Sequence, residues 1–178
     1  DLSLKVNMPT QKAGTFAVWF TGLIDNYEND VPDVKDWETL WDTNDSWSRQ
    51  RNWALGVTHN YRFKNGGTLH SSVAYTGAYR KLGINNYDEL MTKMPGMDGR
   101  NLQWNVIIST QHQQKISSRY TMQNGFEHQH LDFDTWLDWI HETGGPLYRV
   151  YESEGNTGLT RLYTNHKVAL TSRLSTVA

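Results

Sequence analysis

The chain reads as all-β: an antiparallel transmembrane β-barrel, here a partial arc of about seven to eight strands with short turns at one end and long loops at the other. Three observations predict this. Very short connections at Lys12-Ala13-Gly14, Asn65-Gly66-Gly67 and Lys115-Ile116-Ser117 alternate with long polar stretches at Asn26 to Gln50, Lys81 to Arg100 and His141 to Asn156. The segments between them alternate apolar and polar residues with a period of two, the mark of a strand with one apolar face. They run about 10 to 13 residues, the length a tilted membrane-crossing strand needs, whereas soluble strands cluster near five or six.

In the first segment Leu2, Leu4, Val6 and Met8 alternate with Ser3, Lys5 and Asn7. Thr15 to Ile24 returns with Phe16, Val18 and Phe20 on one face and Ala17, Trp19 and Thr21 on the other, so this strand is apolar on both sides. In Asn52 to Lys64, Trp53, Leu55, Val57, Tyr61 and Phe63 share a face; Asn65-Gly66-Gly67 then supplies residues that tolerate positive φ, as a tight hairpin requires. Thr68 to Arg80 follows with Leu69, Val73, Tyr75 and Tyr79 on one face, and Asn101 to Gln113 with Leu102, Trp104, Val106 and Ile108. Arg119 to Asp132 sets Tyr120, Met122 and Phe126 against Thr121, Gln123, Gly125, Glu127 and Gln129. Leu159 to Leu170 is a further strand ending near Thr171-Ser172, and Leu174 to Ala178 begins another.

A soluble β-sandwich alternates too, so periodicity alone does not select a membrane. Aromatics near the strand ends (Trp53, Tyr61, Phe63, Tyr75, Tyr79, Trp104, Tyr120) suit interfacial girdles, and polar faces rich in Asn, Gln, Thr, Ser and Gly suit a wetted lumen. The 178 residues are 37% hydrophobic with a formal net charge of -2. A mean hydropathy of -0.70 would ordinarily indicate a hydrophilic globular domain, but it is uninformative for a barrel, where only every second strand residue faces lipid. No apolar run reaches the roughly 18 residues of an α-helical span, and no basic cluster suggests a nucleic-acid surface. With no cysteine there is neither a disulfide nor a thiolate metal site, as suits passage through an oxidising periplasm. The sequence starts at Asp1 in a strand and stops at Ala178 in mid-strand, which reads as a piece of a larger barrel, residues 1–178 forming part of one domain.

Lys12-Ala13-Gly14-Thr15-Phe16, Trp53-Ala54-Leu55-Gly56-Val57-Thr58-His59-Asn60-Tyr61, Ser71-Ser72-Val73-Ala74-Tyr75-Thr76-Gly77 and Glu154-Gly155-Asn156-Thr157-Gly158-Leu159 resemble barrel segments of TonB-dependent receptors. The resemblance covers nearly the whole chain and lies in strand texture and short phrases. It implies a plugged barrel of about 22 strands, of which this chain would form about a third. It further implies a receptor in the outer membrane of a Gram-negative bacterium that imports a scarce nutrient such as a glycan, peptide or metal chelate. Its partners would be outer-membrane lipid, the TonB complex of the inner membrane and, in receptors that have one, a surface lipoprotein lid. No plug domain, TonB box or aromatic-terminated final strand is found in this sequence. On this reading Lys12-Ala13-Gly14, Asn65-Gly66-Gly67, Lys115-Ile116-Ser117 and Thr171-Ser172 lie on the periplasmic rim, and the long loops lie outside.

Ligand chemistry is expected in those loops. Asn26 to Gln50 carries Trp37, Trp41 and Trp47 beside Asp42 and Asp45, a set suited to stacking on a sugar or holding a cation, or simply to packing the loop. Asp42, Asn44 and Ser46 open like a calcium loop, but Trp47 stands where that loop needs Gly and no Glu closes it. In the second loop Asn86 is placed to cap a short helix with Tyr87, Leu90, Met91 and Met94 on one face. Alternate His128 and His130 share a strand face, but the sequence places no third metal ligand. No nucleophile elbow occurs, so no catalytic residue, resident metal or cofactor is expected. The alternatives are a soluble β-rich carbohydrate-binding or structural domain, a passive porin-like barrel and a barrel enzyme.

Overall fold

Where apolar residues recur at every second position, the backbone is extended and paired with the next segment in sequence. The computed structural model describes residues 1–142, 144–170 and 175–177. Its strands are β1 (Leu2–Pro9), β2 (Thr15–Asn29), β3 (Asn44–Arg62), β4 (Thr68–Tyr87), β5 (Lys93–Lys115), β6 (Tyr120–Ile140), β7 (Leu147–Ala169) and β8 (Ser175–Val177), with two 3-10 turns at Val34–Asp36 and Leu40–Thr43. Each strand pairs antiparallel with its sequence neighbour, giving one open sheet in the order β1 to β8. The expected all-β antiparallel sheet is therefore present, and it is not closed into a barrel. The Thr171-Ser172 turn lies outside the described residues, as do Leu174 and Ala178.

Two sequence expectations are corrected. The stretches Lys81 to Arg100 and His141 to Asn156 are mostly strand, and both ends of Asn26 to Gln50 are: β2 and β3 stay paired out to Asn29↔Ser46, and β4 and β5 out to Tyr87↔Lys93. Polar side chains do not end these strands, because cross-strand hydrogen bonds continue and opposite charges such as Glu28 and Arg49 meet across them. The expected helix at Asn86 to Met94 is instead a tight turn over Asp88 to Thr92. The Asp88 carboxylate accepts the backbone N–H groups of Leu90 at 2.9 Å and Thr92 at 2.8 Å, and Met91 adopts a φ of 60°. A helix needs the residues that β4 and β5 have already claimed for their ladder.

The register carries a regular step. Hairpins close at Pro9↔Thr15, Arg62↔Thr68, Lys115↔Thr121 and Ala169↔Ser175. Between hairpins Thr15 faces Asn60, Thr68 faces Gln113 and Thr121 faces Lys167, each two residues short of the next closure. The stagger is thus one residue per strand. With about 3.3 Å rise per residue and about 4.8 Å between strands, a straight line of turns requires the strands to tilt by about 35°.

Side chains sort by face. Val6, Val18, Val57, Val73 and Ile108 form one continuous row across β1 to β5, and Leu4, Phe20, Leu55, Tyr75 and Val106 form the next. Among the described residues no second layer covers them. The five members of the first row are 43% to 51% exposed, and Ala17 is the only buried hydrophobic residue among the described residues. A second sheet would bury such a face; here there is one layer and an apolar surface on its outside.

Aromatic rings lie against glycines directly across the ladder: Trp19 against Gly56, Trp53 against Gly77 and Trp47 against Gly83. A Cβ on Gly56 would stand 2.7 Å from the Trp19 ring and 2.8 Å from the Val73 carbonyl oxygen, so only glycine fits beneath that ring. Such cover restores the packing that a strand glycine lacks.

Candidate functional site

At the end of the sheet away from the short turns, the ends of β3, β4 and β5 converge on one carboxylate. Asp45 stands opposite Asn85 in the ladder, and Tyr87 opposite Lys93. Asp45 accepts the Asn85 backbone N–H at 3.2 Å, the Asn85 side-chain amide at 2.5 Å, the Tyr87 hydroxyl at 2.8 Å and the Lys93 ammonium at 3.0 Å. Burial pushes the Asp45 carboxyl up, but the hydrogen bonds from Asn85, Tyr87 and Lys93 outweigh it and hold the carboxyl below its ordinary value. The same contacts raise the Tyr87 hydroxyl and the Lys93 ammonium above theirs, Asp45 being the largest cause for each.

Asp45 belongs to an open cleft of about 440 Å³ whose lining includes Glu28, Trp47, Arg49, Lys81 and Lys93. The Trp47 ring, against Gly83, lies under two cations, the Arg49 guanidinium and the Lys81 ammonium, each 5.7 Å from its centroid. Charged groups of both signs give the cleft the means to hold a polar ligand by charge-assisted hydrogen bonds.

Of the five residues the sequence singled out, the structure brings together Asp45 and Trp47. The other three lie apart in the β2–β3 connection. One Asp42 oxygen takes the backbone N–H groups of Thr39 at 2.6 Å and Glu38 at 3.0 Å and the Thr39 hydroxyl at 2.9 Å. Those bonds, the Thr39 N–H first, hold the Asp42 carboxyl below its ordinary value and commit it to shaping the turn. The Trp37 indole N–H donates to the Pro32 carbonyl at 3.0 Å, and Trp41 is 80% exposed. His128 and His130 share a face as expected but turn to different partners, Thr160 at 2.8 Å and Asp132 at 2.8 Å.

No protein-family model matches the chain, and no curated protein matches it in sequence.

Sequence reasoning missed Arg49, Lys81, Arg100 and Lys93 because they fell in stretches taken as loops. A signal was present: Arg51 and Arg49 continue the parity of Trp53, Lys81 that of Tyr79, and Arg100 that of Leu102. A second aromatic plate repeats the theme on β6, where the Trp136 ring lies 4.8 Å from the Arg149 guanidinium and 5.9 Å from that of Arg100. The opposite face carries a groove of about 420 Å³ whose lining includes Asn52, Thr76, Gln103, Asn105 and Gln129. Its members offer amide and hydroxyl groups, and Asn105 Oδ1 lacks a protein partner.

Proposed function

We propose that the chain forms part of the wall of an outer-membrane β-barrel, and that the barrel is a TonB-dependent receptor importing a scarce nutrient into a Gram-negative bacterium. The observation that carries the membrane reading is the uncovered apolar band combined with the constant step of the turns. A tilt of about 35° falls within the range of transmembrane barrels. At that tilt each residue advances about 2.7 Å along the normal, so Trp53 to Tyr61 on β3 spans about 22 Å and Leu69 to Tyr79 on β4 about 27 Å. A barrel's lipid-facing band is about 25 Å tall.

Aromatics bound this band on the same face. Near the turns Phe16 stacks on His59 with centroids 4.4 Å apart, and Tyr61 meets Phe63 edge-on at 4.9 Å. Trp53, Tyr79 and Trp104 mark the other rim. The stagger also lowers the band by one residue per strand, which puts it on Tyr120, Met122, Asn124 and Phe126 of β6 and on Leu162, Thr164, His166 and Val168 of β7, where the polar members bond one another: Thr164 contacts Asn124 at 2.8 Å and His166 at 3.1 Å. His130 and Asp132 then fall near its upper rim, while His128 lies inside it with the Thr160 hydroxyl as partner. On the opposite face, Asn60–His70, Ser72–Ser109 and Glu127–Arg161 contacts fit a water-filled lumen.

The step from barrel to TonB-dependent import rests on the resemblance of the strand phrases around Trp53 to Tyr61 and Ser71 to Gly77. The Asp45 and Trp47 cleft at the loop end opens on the apolar face, away from the polar face that an imported nutrient would meet. Partitioning tests the membrane reading: the protein is expected to require detergent and to migrate differently on gels before and after boiling. Solubility without detergent would sink it. For import, deletion of TonB in a host that depends on this protein for uptake should abolish growth on the nutrient; unchanged uptake would argue for a passive pore.

A further inference from the structure

Charges on the apolar face are sorted by distance from the apolar band. The row bordering it holds Ile24, Arg51, Tyr79 and Leu102, and the next row out holds Asn26, Arg49, Lys81 and Arg100 on β2 to β5. On β3 to β5 four of the six residues in these two rows are cations, and none is a carboxylate. Glu28 and Asp98 stand one row further out and reach Arg49 and Lys81 only at 4.0 Å, while Asp134 on β6 pairs with Arg100. Arg49, Lys81 and Arg100 are direct neighbours across two ladders, an arrangement that like-charge repulsion disfavours. Trp47 steadies two of them by taking both cations over its ring.

We propose that this cation row binds the phosphate-bearing headgroup of an anionic membrane lipid whose acyl chains lie on the apolar band below. The proposal rests on the membrane reading above. A phosphate lying along the row would relieve the repulsion among Arg49, Lys81 and Arg100, and guanidinium forks match its oxygens bidentately. The exposed Ile24 and the half-buried Tyr79 and Leu102 directly beneath give the acyl chains an apolar surface continuous with the cations. A free anion would gain nothing from that surface.

The test is lipid retention by the detergent-purified protein exposed to equimolar phosphatidylglycerol and phosphatidylcholine, read by native mass spectrometry. The protein should retain phosphatidylglycerol preferentially. The triple variant Arg49→Gln, Arg51→Gln, Lys81→Gln, which leaves the Arg100 pair with Asp134 in place, should lose that preference by on the order of a hundredfold, from about fivefold per cation. Inorganic phosphate should not displace the lipid. Equal preference in a triple variant that keeps its heat-modifiable migration overturns the proposal and leaves the membrane reading standing. Displacement by inorganic phosphate overturns the lipid source, and solubility of the unaltered protein without detergent overturns the membrane reading and the lipid site together. If the triple variant loses its folded migration, Arg51→Gln and Lys81→Gln singly carry the test; each should lose about fivefold, and no loss in either refutes the site.

Discussion

Replacing Val57 by Arg separates a lipid-facing band from a water-facing one. Val57 lies five residues from the hairpin closure at Arg62 (57 to 62), which at about 2.7 Å per residue puts it about 14 Å from the line of turns. That is the middle of a band about 25 Å tall, where an arginine on the lipid face costs about 2 to 4 kcal/mol. Val57 is already 44% exposed, so in a water-facing sheet the same change would fall within about 0.5 kcal/mol. Equilibrium unfolding from phospholipid vesicles in guanidinium measures the difference. Tyr61→Arg near the turns should cost only about 0 to 1 kcal/mol, and Thr58→Arg on the opposite face should follow neither pattern. A Val57→Arg cost below about 0.5 kcal/mol, or one no larger than that of Tyr61→Arg, would refute the depth assignment.

Three further outcomes are expected. Gly56→Ala should destabilise by about 1 to 3 kcal/mol in the same unfolding assay, because the added Cβ meets the Trp19 ring and the fixed Val73 carbonyl; a neutral result would show that the Trp19 ring and the β4 backbone can give way without cost. Asp45→Ala should cost about 1 to 3 kcal/mol by leaving Asn85, Tyr87 and Lys93 without their acceptor. Because the Asp45 carboxyl titrates below its ordinary value of 3.8 when folded, its stabilising contribution is fully present above that value and is lost as pH falls through the lower folded value. Unfolding of the unaltered protein and of Asp45→Asn at about pH 7 and about pH 3 should therefore show the gap between them narrowing only at the acid end; a gap constant to acid pH would contradict the sign.

Strand identity was legible in the sequence wherever one face is apolar, as in Leu2 to Met8 or Asn52 to Lys64. Strand extent was not. Beyond Trp53, Tyr79 and Leu102 both faces carry polar residues, so alternation loses its contrast although the ladder runs on through Arg49, Lys81 and Arg100. Composition also misled at Asn86 to Met94, where helical spacing of Tyr87, Leu90, Met91 and Met94 is outweighed by the Tyr87↔Lys93 pairing and by Asp45 holding both side chains. Asp45 and Trp47 were found by residue type, but the partners that define their roles come from other strands and need the register. The same holds for the glycines at 56, 77 and 83, whose aromatic covers are visible only once Trp19, Trp53 and Trp47 are paired with them.

The most direct test of a membrane wall is the accessibility of spin labels placed one at a time at Leu55, Val57 and Thr58 in reconstituted vesicles. Labels at 55 and 57 should be relaxed by oxygen dissolved in the bilayer, and the label at 58 by a water-soluble nickel chelate, giving a period of two. Relaxation of the labels at 55 and 57 by the nickel chelate to the same degree as at 58 would mean that water bathes both faces, and the membrane account would fail.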